Sequence, residues 1–505
     1  MDTLVTRRNF LTGVGAGAAA LTAYGTLSAG ARDGADWAAL ARDLSGRLVR
    51  PGETGYTVAR RLFDPRFDDL RPAGIAYCRN PSDVSTCIAF ARRHGVPLAA
   101  RSGGHSYAGW SSTSGLIVDV SAMNSVRLSG GTVTVGAGTR LIDLYSEVTA
   151  HGRAVPGGSC PTVGIAGLTL GGGVGVVARA YGLTCDNLES LRIVTADGAL
   201  LDCDASAHPD LYWACRGGGG GNFGIVTEFT FSTHPADHIV LFFLSWPWSR
   251  AARVIAAWQD WAPHAPEALW SNLHLAAAPG AGTPAIQVGG TYLGSVSDAG
   301  AQLERLYAAA GSTPSERFLK SMSYMHAMLV DAGCADLDVQ ECHLPWQVAG
   351  GRVSRQPQYA KSDFFTRPLS LAAIGTLLRG VENLRGVRGA RGGSGGVAFD
   401  ALGGAVNRIA PQATAFIHRN ALFMAQYLTG WTEGASASGI ANQHVWLRSL
   451  WRSMRPYASG QGYQNYIDPD LAGWRRAYYG PNYARLVNVK HAYDPRRLFS
   501  FPQAI

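Results

Sequence analysis

Two glycine-rich segments, each with one nucleophilic side chain, constrain this chain more than any other feature. Residues 101–107 read Arg-Ser-Gly-Gly-His-Ser-Tyr, and residues 156–164 read Pro-Gly-Gly-Ser-Cys-Pro-Thr-Val-Gly. Glycine adopts positive φ without strain and lets a flat or charged ligand approach the main chain. The sequence therefore predicts that the imidazole of His105 and the thiol of Cys160 attach to one large cofactor.

A third motif lies near the C-terminus, where residues 463–468 read Tyr-Gln-Asn-Tyr-Ile-Asp and residues 479–483 read Tyr-Gly-Pro-Asn-Tyr. Together with His105 and Cys160, this motif resembles the berberine-bridge-enzyme-like oxidases. Those enzymes hold FAD through a histidyl and a cysteinyl bond at once. The resemblance covers most of the chain and implies FAD bound covalently through both residues.

The same resemblance implies an α+β fold of two domains, of the type found in vanillyl-alcohol oxidase and para-cresol methylhydroxylase. At 505 residues the chain also exceeds what one hydrophobic core serves. We expect an FAD-binding α+β domain over 70–235 and a substrate-binding α/β domain with an antiparallel sheet over 236–455. Residues 456–505 are expected to return and complete the flavin site. Local pattern alone leaves a doubly wound sheet open.

Periodicity and end signals predict several elements directly. Asn80 and Pro81 are typical of a helix start, and a second helix is expected over 141–151 with Thr139 as a possible cap. Residues 397–402 and 422–431 are apolar and predict central strands of the second sheet. The glycine stretch 391–396 is predicted to be a loop.

The N-terminus predicts export. Arg7 and Arg8 precede an apolar, Ala/Gly-rich run that ends near residue 31, which is typical of a twin-arginine signal peptide over 1–31. The alternative is an ordinary basic N-terminus on a weak helix. The run is too short for a comfortable membrane span, and no other segment is apolar enough for one. We therefore expect a bacterial protein that is secreted or extracytoplasmic.

Composition argues against several other classes. The net charge is +8, but the arginines are scattered and form no basic stripe, so nucleic-acid binding has little support. His234 and His238 have i, i+4 spacing, yet the intervening Pro235 argues against a helical metal site. Cys334 and Cys342 are a conceivable short disulfide, whereas the remaining cysteines besides Cys160 are expected to be buried. The expected partners are a small molecule and oxygen, in a monomer or a homodimer.

The resemblance and the glycine pattern also indicate the flavin environment. Residues 219–224 fit G-x-G-x-x-G formally, but a strand rather than a helix follows, so a Rossmann site is excluded. Glycine-rich turns are instead expected to cradle the pyrophosphate with main-chain N–H groups. Besides the two attachment residues, the expected flavin contacts are Arg101, Ser102, Gly103, Gly104, Ser106, Val163, Gly164, Gly167, Gly171, Gly175, Ile225 and Asn465.

Four residues are predicted to carry catalysis. By resemblance, Tyr466 removes the proton of the substrate hydroxyl, and its pKa must fall for this role. Tyr107 is the expected neighbour that assists, and Gln426 matches an active-site glutamine of the family. Asp400 is either an acid that assists the tyrosine or a strand-end turn residue.

Three positions refine this site. Relatives usually carry lysine where this chain has Met424, and several carry tyrosine where it has Val174, which suggests a roomier or less polar pocket. Val163 occupies the position that the family treats as an oxygen gate, where valine accompanies oxidase activity.

The resulting prediction is an FAD-dependent oxidase that takes a hydride from a bulky, hydroxyl-bearing substrate and reduces O2 to H2O2. Double attachment permits an open site, so oligosaccharides, glycosides or polyketides are the expected substrates. Two alternatives stay open: oxidative ring closure or dehydrogenation at C–H or C–N bonds, and a flavin-bearing drug-sequestering protein without turnover. A serine hydrolase built on Ser394 is disfavoured, because no strand precedes and no helix follows that glycine-flanked serine.

Overall fold

The computed structural model describes residues 34–236, 238–280, 282–389, 392–432 and 434–505. The predicted signal peptide, residues 1–31, lies outside the described residues. The helices are α1 (Trp37–Asp43), α2 (Tyr56–Ala59), α3 (Pro81–His94), α4 (Leu141–Thr149), α5 (Ile165–Leu170), α6 (Ala178–Tyr181), α7 (Pro209–Ala214), α8 (Ala251–Trp261), α9 (Val296–Ala310), α10 (Tyr324–Asp331), α11 (Leu371–Glu382), α12 (Ala405–Arg408), α13 (Ala437–Met454), α14 (Trp474–Tyr479) and α15 (Tyr483–Tyr493).

The first half of the chain forms two main sheets. The four-stranded sheet has the order β1 (Arg47–Val49), β2 (Gly74–Tyr77), β4 (Leu116–Asp119) and β3 (Leu98–Arg101). In it β2 and β3 run parallel to β4, and β1 is antiparallel to β2. The second sheet is antiparallel, in the order β5 (Val126–Ser129), β6 (Thr132–Gly136), β10 (Ile225–Ser232), β8 (Leu188–Val194) and β9 (Leu200–Cys203). A two-stranded ribbon pairs β7 (Arg153–Ala154) with β11 (His234–Pro235). This half is therefore not doubly wound.

Local end signals explain α3 but not α4. The Asn80 side chain accepts a hydrogen bond from the backbone N–H of Asp83, and Gly95 ends α3 in the left-handed region, as the sequence predicts. The cap predicted for α4 is wrong, because Arg140 occupies the cap position without a side-chain hydrogen bond. Thr139 is instead fully buried one residue earlier.

The second half is built on a seven-stranded antiparallel sheet, in the order β15 (Glu316–Ser323), β12 (His238–Trp246), β14 (Ala285–Tyr292), β13 (Leu269–Ala277), β17 (Ser394–Ala401), β18 (Phe423–Gly430) and β16 (Gln358–Phe365). Strands β17 and β18 lie inside this sheet, so the prediction of central strands is confirmed. The loop predicted over 391–396 is wrong in part, because β17 already begins at Ser394. A strand after Ser394 also removes the geometry of a nucleophile elbow.

The C-terminal segment packs on the first half. Leu486, Val489 and Phe499 share a buried core with residues of the first two sheets, and the N–H of Ile505 donates to Oδ1 of Asn222 at 2.9 Å. Upstream of the boundary expected at residue 70, α1 and β1 also join this core and sheet. The predicted two-domain α+β class is confirmed. Among the described helices, none combines the length and the apolar character that crossing a bilayer requires.

Candidate active site

A cavity of about 1980 Å³ connects the two halves and the C-terminal segment. Pockets for drug-sized ligands usually measure roughly 300–1000 Å³, so this one has room for a dinucleotide and a further molecule. The predicted site residues that line it are His105, Cys160, Arg101, Ser102, Gly103, Gly104, Ser106, Tyr107, Val163, Gly164, Gly167, Ile225, Gln426, Asn465 and Tyr466. Gly171, Gly175 and Asp400 do not line it.

The loop that carries His105 begins where β3 ends. Arg101, the last residue of β3, forms a buried ion pair with Asp119 at the end of the adjacent parallel strand β4. Ser102 donates from Oγ to the carbonyl of Ala137 at 2.7 Å, and Gly104 adopts a φ of +70°. These contacts anchor the loop to the rigid sheet before the chain reaches the imidazole.

The imidazole of His105 is held on one face and at one nitrogen. Its ring stacks on Phe63, with centroids 4.1 Å apart and planes 19° from parallel, and Nε2 lies 2.9 Å from Oγ1 of Thr162. Burial, with the nearby charge of Arg140, lowers the pKa of His105 to about 3. The ring is therefore neutral near pH 7. In the tautomer whose Nε2 donates to Thr162, Nδ1 carries the nucleophilic lone pair.

Cys160 differs from the other cysteines in its exposure. Among the described cysteines outside a disulfide, Cys160 is exposed and the others are buried, and Cys334 pairs with Cys342 in a disulfide. The prediction of that disulfide and of buried thiols elsewhere agrees with the structure. The buried free thiols are Cys78, Cys87, Cys185, Cys203 and Cys215. Burial raises the pKa of Cys185 and Cys215, which disfavours their thiolates, so Cys160 is the accessible nucleophile on the cavity wall.

Two glycines place the two attachment loops in direct contact. A Cβ atom on Gly103 would lie 2.2 Å from the backbone N of Gly164, and one on Gly164 would lie 2.0 Å from Oγ of Ser102. Gly167 differs, because a Cβ there would meet no described atom within 4 Å. Glycine is thus required at 103 and 164 for loop packing, while Gly167 leaves backbone open to the cavity.

Gly171 and Gly175 serve packing rather than the cavity surface. A Cβ on Gly171 would lie 1.9 Å from Oδ1 of Asn465, and one on Gly175 would lie 1.6 Å from the carbonyl oxygen of Gly157. The role predicted for them as flavin contacts therefore becomes an indirect one. Gly171 makes room for Asn465, which donates from Nδ2 to the carbonyl of Leu168 at 2.9 Å.

Two tyrosines and a glutamine meet at the cavity wall. The rings of Tyr107 and Tyr466 are 4° from parallel, with centroids 5.5 Å apart. Gln426, on the central strand β18, donates from Nε2 to the Tyr107 hydroxyl oxygen at 2.7 Å. Tyr463 packs edge-on against Tyr466 at 4.9 Å. The structure thus brings together Tyr466, Tyr107 and Gln426, although Tyr107 lies more than 300 residues before the other two in the sequence.

Asp400 lies deeper than the other predicted catalytic residues. It pairs with Met424 in the register of β17 and β18, so it shares a sheet face with Gln426, which is two residues along β18 from Met424. Its side chain is nevertheless fully buried. Met424 is buried too, in an apolar cluster with Val174 and Phe416. Tyr466 packs against this cluster, so its surroundings on that side are apolar.

Several residues of the site were missed from the sequence. Phe63 and Thr162 contact His105, and Lys361 forms a buried ion pair with Asp468, from Nζ to Oδ2, at 2.6 Å. Lys361 and Asp468 also line the cavity. Thr162 lies within the second glycine-rich segment and Asp468 within the C-terminal motif, so each could have been predicted from its place in a motif. Phe63 lies in no such motif.

Three buried polar atoms indicate that the cavity fits a large polar cofactor. Arg101 Nη1, Trp110 Nε1 and Ser112 Oγ have no hydrogen-bond partner among the described residues, and all three residues line the cavity. An unpaired buried polar group destabilises a fold by about 1–3 kcal/mol, so these donors require a ligand or water. A phosphate-bearing dinucleotide supplies such acceptors.

Comparison with known proteins defines the class of the protein. A family described as "FAD binding domain" matches residues 72–204, and one described as "Berberine and berberine like" matches residues 462–505. These two stretches contribute His105, Cys160 and Tyr466. The fold and the site are therefore those of an FAD-dependent oxidoreductase, and its cofactor is FAD.

Full-length relatives define the family. The chain is 34% identical over 475 residues to YgaK of Bacillus subtilis (strain 168), an FAD-linked oxidoreductase, and the match covers 92% of this chain and 97% of YgaK. The chain belongs to the berberine-bridge-enzyme-like family of FAD-linked oxidoreductases. Physcomitrella patens BBE-like 1 is 29% identical, with a TM-score of 0.83 over 93% of this chain and 98% of that one. A chitooligosaccharide oxidase is 26% identical, with a TM-score of 0.81 over 94% and 99%.

Proposed function

We propose that the protein is an oxidase that carries bicovalently bound FAD and oxidises a hydroxyl group of a bulky substrate, with O2 as the electron acceptor and H2O2 as the product. The observation that carries this proposal is the meeting of Tyr466, Tyr107 and Gln426 on the wall of the cavity that also holds His105 and Cys160. When bound, FAD supplies a two-electron acceptor that is reduced by the substrate and reoxidised by O2.

His105 and Cys160 are proposed as the attachment residues. The depressed pKa of His105 keeps the imidazole neutral, and the hydrogen bond at Nε2 leaves Nδ1 as the nitrogen for the new bond. Cys160 is exposed on a loop in contact with the His105 loop. These facts support attachment at both residues, because each offers a nucleophile to the same cavity.

Tyr466 is proposed as the base that accepts the substrate hydroxyl proton. Gln426 donates to the Tyr107 oxygen, so the Tyr107 hydroxyl hydrogen is directed away from Gln426. A hydrogen bond from that hydroxyl to the phenolate of Tyr466 would lower the pKa of Tyr466, as a base requires. Tyr107 takes this role because Met424 replaces the lysine that relatives carry.

The cavity supports a bulky substrate. Its volume of about 1980 Å³ exceeds the usual range for one drug-sized ligand, and the apolar Val174 stands on its wall where several relatives carry tyrosine. The chitooligosaccharide oxidase among the structural neighbours acts on sugars by its name. Oligosaccharides, glycosides and glycosylated polyketides are therefore the proposed substrate classes. Val163 also lines the cavity, and its small side chain is proposed to leave space for O2 to approach the flavin.

Export by the twin-arginine route is proposed as well. Arg7 and Arg8 precede the apolar run, and the Cys334–Cys342 disulfide suits an oxidising compartment. Replacing both arginines by lysine tests this proposal in cell fractions. We expect the unprocessed protein to stay in the cytoplasm, and unchanged secretion of the variant would contradict the proposal.

An anaerobic substrate screen tests the proposed reaction. The holoprotein is mixed without oxygen with oligosaccharides, glycosides and glycosylated polyketides, and flavin bleaching is followed at its visible absorption band. Active compounds are then turned over in air, with H2O2 and the product mass measured. We expect bleaching, peroxide, and a product that is 2 Da lighter with a new carbonyl. A ring-closed product would favour the cyclase alternative, and tight binding without bleaching would favour sequestration.

A further inference from the structure

The segment just before the FAD-binding match contacts the His105 loop at three points. The N–H of Phe63 donates to the carbonyl of Gly104 at 3.1 Å, and the Phe63 ring stacks on His105. Arg66 donates from Nη2 to the carbonyl of Tyr107 at 2.9 Å. We propose that residues 62–68, here named the clamp segment, position the active site, with Phe63 orienting His105 for attachment and Arg66 holding Tyr107 beside Tyr466.

The clamp segment lies outside both family matches, which cover 72–204 and 462–505. Phe63 was described above only as a contact of His105, and Arg66 has been given no role. The inference rests on the proposed function, because it assigns positioning residues to the attachment histidine and to the tyrosine pair of that same site.

Arg66 is fixed before it reaches Tyr107. Its Nε donates to Oδ2 of Asp64 at 2.9 Å, and its guanidinium lies over the rings of Tyr359 at 4.3 Å and Phe67 at 4.8 Å. The planar guanidinium bonds Asp64 and the Tyr107 carbonyl with different nitrogens, which lysine cannot reproduce with a single nitrogen. Arg66 therefore acts as a rigid bridge to the Tyr107 backbone.

Tyr107 is consequently held at both ends. Arg66 fixes its backbone carbonyl, and Gln426 donates to its hydroxyl oxygen at the far end of the ring. Because the side chain is held at both ends, the long axis of the ring keeps a constant direction, and the ring plane lies parallel to that of Tyr466. Without Arg66, the backbone would move and the hydroxyl of Tyr107 would lose its alignment with Tyr466.

Phe63 acts on His105 in an analogous way. The stack with Phe63 fixes the plane of the imidazole, and the Thr162 contact fixes its rotation, so together they set the direction of Nδ1. Attachment forms a bond between Nδ1 and a methyl carbon of the flavin ring and breaks a methyl C–H bond. The proton passes to solvent, the electron pair reduces the flavin ring, and O2 reoxidises it. A misdirected Nδ1 slows this bond formation.

The clamp segment is itself held from the second half of the chain. Arg355 donates from Nε to the carbonyl of Leu62 at 2.9 Å and forms a two-point ion pair with Asp68. Phe63 also packs against a buried cluster that contains the Cys334–Cys342 disulfide. Contacts from the second half of the chain therefore support the geometry of the clamp segment.

The role of Phe63 is tested by the covalent state of the flavin. Holoprotein is denatured and digested, and the peptides with His105 and Cys160 are quantified with and without the flavin mass. Phe63→Leu is expected to reduce the His105-linked fraction severalfold while the Cys160-linked fraction persists, and Phe63→Tyr, which keeps the ring, should restore it. Phe318→Leu is the matched control, because Phe318 is a half-buried phenylalanine whose ring packs at a tilt against Phe243, with centroids 5.9 Å apart. An unchanged His105-linked fraction, or equal loss at both residues, would overturn the assignment.

The role of Arg66 is tested by splitting the kinetics of anaerobic flavin reduction. Arg66→Lys keeps a cation beside Asp64, so the fold is preserved, but it loses the reach to Tyr107. We expect the limiting reduction rate to fall roughly tenfold, with substrate affinity and flavin attachment unchanged. Arg153→Lys is the matched control, because Arg153 also donates from two nitrogens, to the side chain and the carbonyl of Thr233, but does not line the cavity; it should keep the wild-type rate. A wild-type limiting rate in Arg66→Lys, or a loss confined to affinity, would overturn this role. If no hydroxyl compound reduces the flavin of the wild-type protein, the proposed function fails instead. The covalent-state measurement on the Phe63 variants still tests the role of Phe63.

Discussion

Gln426 offers a quantitative test of how the tyrosine pair is organised. Its side chain is 3% exposed and donates to the Tyr107 hydroxyl oxygen across 2.7 Å. In Gln426→Leu, an apolar side chain of similar volume takes the place of the glutamine, but the donor is lost. The Tyr107 hydroxyl would then lose the hydrogen bond that holds it from β18, while the Arg66 bond at its backbone and its stack on Tyr466 remain.

The expected size of the effect follows from this single bond. A buried hydrogen bond between neutral groups contributes about 1 kcal/mol, and one that supports a developing charge contributes about 1.5–3 kcal/mol. Tyr466 must be an anionic phenolate before it accepts the substrate proton, so the lost bond disfavours that phenolate and acts mainly on the proton-transfer step. A loss of about 1.5 kcal/mol corresponds to a roughly tenfold slower flavin reduction.

Anaerobic stopped-flow measurement of flavin reduction provides the assay. Gln443→Leu is the matched control, because Gln443 is also buried and accepts a hydrogen bond from Thr429 at 2.7 Å but does not line the cavity. We expect the control to reduce its flavin at the wild-type rate. Reduction by Gln426→Leu within about twofold of wild type, at full flavin content, would refute the reasoning.

Three further predictions concern the base, oxygen and the disulfide. Tyr466→Phe should keep its flavin and fold but reduce the flavin roughly a hundredfold more slowly, the scale of general-base catalysis; a wild-type rate would remove Tyr466 from that role. Val163→Leu should slow reoxidation by O2 and leave reduction nearly unchanged, because the longer side chain fills the cavity wall while the fold tolerates it; equal reoxidation rates in stopped-flow mixing would refute the gate. Removing the disulfide with Cys334→Ser and Cys342→Ser should lower the free energy of unfolding by about 2.5 kcal/mol, given its sequence separation of 8; a change below about 1 kcal/mol in urea unfolding would contradict this.

The sequence predicted the site best where a motif is local. His105, Cys160 and Tyr466 stand in short, glycine-rich or tyrosine-rich stretches, and the structure brings all three to one cavity. Gln426 was predicted by its match to an active-site glutamine of the family, within the apolar stretch 422–431 that predicts a strand. In each case, the reactive residue and the neighbours that identify it are adjacent in the sequence.

Glycine shows where such reasoning stops. The sequence marks Gly171 and Gly175 as places that tolerate no side chain, and the structure agrees. It does not say what approaches, which proves to be Asn465 and the Gly157 carbonyl rather than the cavity. A close approach has the same sequence signature whether the other group is a ligand or the chain itself.

Contacts between distant segments could not be predicted from the sequence for another reason. Phe63 and Arg66 stand in a stretch without a motif, and their value comes from the tertiary position of the His105 loop, about 40 residues later. Thr139 shows the opposite case, since a good capping residue is buried and Arg140 takes its place. At the start of α4, tertiary packing therefore overrides the local preference for a capping residue.

The covalent state of the flavin tests the central claim most directly. Holoprotein is denatured in acid, washed, digested and measured by mass spectrometry, beside His105→Ala, Cys160→Ala and the double variant. The account predicts that wild-type protein stays yellow after denaturation, with the flavin mass on one peptide that joins His105 and Cys160. Each single variant should keep one bond, and the double variant should release all of its flavin. Release of the flavin from denatured wild-type protein would contradict the account.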